Sequence, residues 1–171
     1  MIIKTDSTLV QDSIASYDDE MVYRYTLSRS WTKGPALTFL MLNPSTATEA
    51  ENDPTIERCQ RRAIAMRFGQ LHIVNLFPLR STDPAGLLKT DPIGDLTEAN
   101  KSIIEAVKLS DMTICAWGNH QAAKSRSWDV IKLLRAESLE KKLYCLARNK
   151  DGSPKHPLYV SAATQPIKFF E

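Results

Sequence analysis

Four short polar clusters each follow an apolar run in this sequence. They are Asn43-Pro44-Ser45-Thr46, Asn75 with Arg80-Ser81-Thr82, Trp117-Gly118-Asn119-His120 and Lys155-His156-Pro157-Leu158-Tyr159. Their residue types suit recognition of a polar ligand. An Asn amide carries an acceptor oxygen and two N–H donors, so it can read the edge of a planar base. A guanidinium such as that of Arg80 suits phosphate or carboxylate. An imidazole such as that of His156 can stabilise a developing anion.

Each cluster also has a purely structural use. Pro44 biases Asn43 to extended backbone and can simply make a turn. Trp117-Gly118 is either a core plug followed by a turn or an aromatic platform beside a site. Arg80 can be a solvated cation and His156 an exposed loop residue. Asn75 differs, because it lies within an apolar run. A buried amide there needs partners for its oxygen and both hydrogens, from backbone or from a ligand. His72 alternates onto a sheet face and reads as a packed histidine. His120 is open between a cap and a site residue.

The elements that would position these clusters follow from periodicity. Residues 21–31 alternate, with Val22, Arg24, Thr26 and Ser28 on one face and Tyr23, Tyr25, Leu27 and Arg29 on the other, which predicts a strand. Residues 36–42 are nearly continuous in apolar character, as in a strand covered on both faces. Asp53-Pro54 opens a helix whose stripe is Ile56, Cys59, Ala63 and Met66, with Gly69 as its stop. A strand is expected over 71–77, a helix from Leu96 to Leu109 and a strand from Asp111 to Trp117. A helix from Gln121 to Arg135 packs around Trp128, Ile131 and Leu134, and a last strand runs from Lys142 to Leu146. Alternation of strands and helices predicts a three-layer α/β/α sandwich with a central four-stranded, mainly parallel sheet. Ligands of such sheets bind beyond the carboxyl ends of the strands, where the four clusters fall.

The chain has 171 residues, the length of a single domain. Residues 1–20 are expected to form at most a loosely packed N-terminal arm. No apolar run approaches the roughly 20 residues needed to span a bilayer, and the N-terminus is unlike a secretory signal. A cytoplasmic protein with no membrane partner is the expectation. A net charge of +2 neither demands nor excludes nucleic acid. Cys59, Cys115 and Cys145 lack C-x-x-C spacing, so buried free thiols are expected rather than disulfides or a zinc site. No metal or cofactor motif is present. The phosphate loop of P-loop ATPases, the dinucleotide fingerprint and the G-x-S-x-G elbow are all missing.

LMLNPSTA at 40–47, NDPTIERC at 52–59, NLFPLRSTDP at 75–84, AWGNH at 116–120 and KHPLY at 155–159 resemble a family of small bacterial and phage proteins. That family is catalogued as domain of unknown function 1643. The resemblance runs from Tyr23 onward and carries no activity with it. More distantly, the same order of motifs is similar to the uracil-DNA glycosylase superfamily, and this implies a uracil-DNA-glycosylase-like fold. Asn43-Pro44-Ser45 is similar to the motif that orients the attacking water there. Asn75 matches the position that reads the flipped base, and Arg80 a loop arginine of some branches. His156-Pro157-Leu158 resembles the His-Pro-Ser loop whose histidine stabilises the departing base. The resemblance thus makes Asn43 and His156 catalytic. Ser45, Asn75, Arg80, Trp117 and Asn119 would bind substrate.

Departures accompany the match. Met41 replaces a glycine, and no Asp stands in the first motif, leaving Asp53 as the nearest substitute. The four-cysteine iron–sulfur set is missing, and Leu158 replaces Ser. Three readings result. One is a hydrolase that breaks an N-glycosidic bond in DNA or a nucleotide. Another is a non-catalytic module that binds a nucleobase, nucleotide or DNA. The third is an unrelated small-molecule enzyme using the same strand ends.

Overall fold

In the computed structural model, which describes residues 1–170, the chain forms a mixed α/β fold around one eight-stranded sheet. The strands are β1 (Ile2–Ser7), β2 (Asp12–Tyr17), β3 (Arg24–Ser30), β4 (Ala36–Met41), β5 (Gln70–Asn75), β6 (Met112–Cys115), β7 (Leu143–Cys145) and β8 (Ile167–Lys168). The helices are α1 (Pro54–Ala65), α2 (Leu96–Leu109) and α3 (Ala123–Ala136). The sheet order is β1-β2-β3-β5-β4-β6-β7-β8.

The expected four-stranded sheet is therefore corrected. Strands β5, β4, β6 and β7 are mutually parallel. Antiparallel strands extend them on both sides, β3, β2 and β1 beyond β5, and β8 beyond β7. The first two strands come from residues expected to form an arm. Strand β1 buries only every second residue, and those only partly. Its sequence, IIKTDS, carries too weak an alternation to announce a strand.

Strand β4 lies mid-sheet, and all six of its residues are buried, which explains its unbroken apolar run. Leu37, Phe39 and Met41 pack with Ile56, Cys59 and Ala63 of α1 on one face. Leu40 and Leu42 pack on the other with Ile103 and Val107 of α2 and Val130, Ile131 and Leu134 of α3. Helices thus cover both faces of the parallel portion.

Asp53 caps α1 as its sequence implies, its carboxylate accepting from the Ile56 N–H at 2.9 Å. Helix α2 keeps the expected bounds, capped by Asp95. The end of α1 differs from expectation. Arg67, at φ +64°, is the left-handed residue. Arg67 N–H donates to Ile64 and Phe68 N–H to Ala63, which closes the helix in a Schellman arrangement. Gly69 has another duty. A Cβ there would lie 2.5 Å from the Thr32 carbonyl oxygen, so the close approach of two backbones requires glycine. Trp128, expected in the core, is 62% exposed.

The faces of β3 also depart from simple alternation. Opposite β2, Ser16 pairs with Thr26 and Tyr17 with Arg24, leaving Tyr25 as an extra, bulged residue. The bulge turns Arg24 onto the face already occupied by Arg29. Both guanidiniums consequently reach the same loop, Arg24 donating to the Ala47 oxygen and Arg29 to the Thr48 oxygen.

The three cysteines are free and buried, as expected. Burial raises their thiol pKa values, so they are poor nucleophiles. Among the described residues no helix is long and apolar enough to cross a membrane.

Candidate functional site

Strand β4 leads through its loop to α1 on one face of the sheet, while the adjacent β6 leads to α3 on the other. Two neighbouring strands whose following helices leave in opposite directions open a crevice at their carboxyl ends. A cleft of about 400 Å³ lies there. Its walls include Asn43, Pro44 and Ser45 from the loop after β4, and Trp117, Gly118, Asn119 and His120 from the loop after β6. His156 and Tyr159 close it from the late loop. Five of the seven residues singled out from sequence thus converge: Asn43, Ser45, Trp117, Asn119 and His156.

Asn43 is held by its own nitrogen. Its Nδ2 donates to the Pro44 and Ser81 oxygens, each at 2.9 Å. Two carbonyl acceptors on one end of the amide identify that end as NH₂. Its oxygen is left as an acceptor at the cleft, able to hold a water or a ligand N–H.

His156 sits before Pro157, at the start of a short 3-10 turn. Its Nδ1 accepts from the Leu158 N–H at 3.4 Å. This long contact favours the neutral tautomer that carries its proton on Nε2. Burial lowers the His156 pKa, with Asp53 opposing that shift. The neutral ring can donate one hydrogen bond to a developing anion. Gly118 brings the neighbouring loop against it. At φ +77° its backbone suits glycine, a Cβ there would lie 3.9 Å from the His156 Cβ, and its N–H donates to Pro154 at 2.9 Å.

The late loop has no strand or long helix of its own, and arginines of α1 hold it. Arg58 donates to the Pro157 and Val160 oxygens at 3.3 and 2.8 Å. Arg62 donates to the Thr164 and Ser161 oxygens at 2.6 and 2.7 Å. One guanidinium can serve two carbonyls because its donors diverge in a fixed fork.

Asp53 also lines the cleft, but its oxygens are engaged. One accepts from Ile56 and the other from the Ala47 N–H at 3.3 Å. His120 closes the turn before α3, its Nδ1 accepting from the Ala122 N–H at 3.3 Å. Trp117 is 4% exposed and packs edge-on against Phe169, with ring centres 5.6 Å apart. It is a wall as well as a core plug. Phe77 belongs to the core.

Asn75 and Arg80 are not brought into the cleft. Asn75 is 5% exposed at the end of β5, beside Met41, and neither polar atom of its amide has a partner within the chain. Arg80 donates to the Met21 oxygen at 3.1 Å and lies over the Tyr17 ring. Two lining residues were missed in the sequence. Arg24 was read only as one residue on a face of an alternating strand, and Tyr159, 79% exposed, only as part of a loop.

A larger cavity of about 810 Å³ shares the Trp117–His120 loop and continues past Trp128, Phe169 and Phe170. Its lining mixes these aromatic rings with Lys124, Arg148 and Asp151 and lacks Asn43, Ser45 and His156. The smaller cleft is where Asn43, Ser45 and His156 meet.

A search of curated proteins finds no match to this chain. A family model does match, over residues 24–158. That span contains every candidate residue from Arg24 to His156 and leaves Tyr159 just outside. The chain belongs to the family of proteins of unknown function designated DUF1643.

Proposed function

We propose that this cleft binds a nucleobase-bearing ligand, a nucleotide or a base in DNA, and that it can hydrolyse the N-glycosidic bond. The observation that carries the reading is the complementary polarity of Asn43 and His156. Asn43 offers an amide oxygen whose own nitrogen is clamped by two carbonyls. His156 enters the same cleft with Nδ1 occupied and Nε2 as its remaining donor. Breaking an N-glycosidic bond needs a group to hold water near the sugar carbon and a donor for the anionic base. An acceptor and a donor set on opposite loops suit those two tasks.

The base-edge contacts fall to Ser45 and Asn119, which line the cleft. Tyr159, exposed beside His156 with ring centres 5.9 Å apart, offers a stacking surface. If the substrate is a base in DNA, it must leave the stack to enter.

One observation favours a second reading, binding without hydrolysis. Asp53 is the carboxylate lining the cleft, and both its oxygens accept backbone N–H bonds. Water would then be positioned by Asn43 without a strong base.

The two readings separate in one assay. Purified protein is incubated with oligonucleotides and free nucleotides carrying uracil, hypoxanthine, xanthine and modified pyrimidines, and released base is measured. Base release that disappears in Asn43→Ala and in His156→Ala supports hydrolysis. Saturable binding without release supports the second reading. Neither binding nor release removes both.

A further inference from the structure

We propose that Arg24 forms a phosphate subsite in the floor of this cleft, so that the ligand is a small molecule bearing a terminal phosphate monoester rather than an internal stretch of polymer. This rests on the preceding reading that the cleft is the ligand site.

Arg24 is 2% exposed and lines the cleft. Its side chain donates to the Ala47 oxygen. None of the four ion pairs among the described residues involves it. A buried guanidinium costs several kcal/mol in lost hydration unless a counter-charge or several acceptors replace the water. Burial pushes its pKa down to about 10, and nearby Arg29 and Arg80 push the same way, against Tyr17 and Asp53. At neutral pH it is still a cation. A buried cation without an anionic partner, facing an open cleft, is the arrangement an incoming anion completes.

The surroundings specify which anion. Ser45, Thr55 and Thr82 bring three hydroxyls to the same cleft. A phosphate monoester has three terminal oxygens and can use the guanidinium and these hydroxyls together. A carboxylate has only two. Asp53 is also present and would repel an anion. Its charge is already taken up by two backbone N–H groups, at the positive end of α1. Depth separates a monoester from a diester. A terminal phosphate can reach an almost wholly buried guanidinium through one opening, whereas an internal phosphodiester must lead the chain both in and out. The β3 bulge at Tyr25 supports a dedicated role. Without it, Arg24 would face away from Arg29 and from this loop.

The test is calorimetric titration of the intact protein with nucleosides, their 5′-monophosphates, inorganic phosphate, acetate, and a short single-stranded oligonucleotide lacking terminal phosphates. Monophosphates are expected to bind roughly ten- to hundredfold more tightly than the parent nucleosides. Arg24→Lys, which keeps the charge but loses the guanidinium fork, should lower monophosphate affinity more than nucleoside affinity and so shrink that advantage. Inorganic phosphate should compete with the monophosphate and raise the Tm of the unaltered protein more than that of Arg24→Lys. Because Arg24→Met removes a buried cation's packing and can fail to fold, the lysine variant and the unaltered protein carry the test. Equal affinity for nucleoside and monophosphate would overturn the proposal while leaving nucleobase binding intact. So would tightest binding to the oligonucleotide, or acetate competing as well as phosphate. Arg24-dependent binding of inorganic phosphate without any nucleoside binding would uphold the subsite and overturn the nucleobase reading.

Discussion

The side-chain nitrogen of Asn43 lies 2.9 Å from the backbone oxygen of Ser81, and the backbone N–H of Ser81 returns a bond to Pro44 at 2.9 Å. These reciprocal bonds tie the loop after β4 to the loop after β5 at the cleft wall. Asn43→Ala removes the side-chain half of the tie and the oriented oxygen together. It is expected to cost about 1–3 kcal/mol of stability, read as a lowered Tm, and, under the proposed hydrolysis, to abolish base release. Asn43→Asp should be worse for stability, since a carboxylate would face two carbonyl oxygens. If Asp matches Asn in both measurements, Asn43 is not held by its nitrogen.

Acidification should destabilise the protein through its half-buried histidines. Burial lowers the pKa of both His72 and His156 from the ordinary value near 6.5. The unfolded chain therefore binds protons at a higher pH than the native one. The stability these neutral rings contribute is complete above about pH 6.5 and is lost as the pH falls through their lower native values. Tm measured from pH 8 to pH 5 should fall below that point. His72→Gln, which can keep a bond to the Ser28 hydroxyl now 2.8 Å from the ring, should flatten the decline. A Tm that rises on acidification over this range would contradict the burial of both rings.

Asn75→Leu is expected to stabilise the protein. The amide is buried with both polar atoms unpartnered, and an apolar side chain of similar size avoids its desolvation cost of roughly 1–3 kcal/mol. Ligand affinity should be unchanged, because Asn75 stands outside the cleft. A rise in Tm accompanied by loss of affinity would show that the ligand reaches behind Met41, restoring Asn75 as a reader of the base edge.

Arg58 positions the late loop without lining the cleft, so Arg58→Met should weaken ligand binding through His156 rather than through contact. Proteolysis within residues 157–164 should accelerate as the bond to the Val160 oxygen is lost. Unchanged cleavage and unchanged affinity would mean that Arg62 alone suffices.

Gly118→Ala is expected to cost about 1 kcal/mol or more, because φ +77° strains an L-residue. A Cβ there meets ordinary space near His156. Gly69→Ala should cost more, since its Cβ would collide with the Thr32 backbone. Chemical denaturation of the two variants gives the ranking.

Local chemistry was legible where a residue's own neighbours in sequence decide its structure. Asp53-Pro54 signalled a helix start because cap and first turn lie within four residues. The apolar stretch before Asn43 signalled a central strand because both its faces are covered. The outer strands were not legible. In the β1–β2 hairpin apolar character does not follow burial: β2 buries Ser13, Ala15 and Tyr17 while Ile14 is exposed, so no apolar alternation announces the strand. Gly69 was misread as a helix stop because a glycine needed for close backbone approach looks the same in sequence as one needed for a left-handed turn.

The sequence by itself determined which segments are strands of the parallel core and which polar clusters follow them. Parallel order then forces those clusters to one edge, which is why Asn43, Ser45, Trp117, Asn119 and His156 meet. Tertiary structure alone decided what each one does there. Asn75 stays buried outside the cleft lining, Asp53 spends its oxygens on backbone, and a single bulged residue brings Arg24 to the cleft. Those outcomes depend on partners distant in sequence and on the side-chain parity of a strand, which one extra residue reverses.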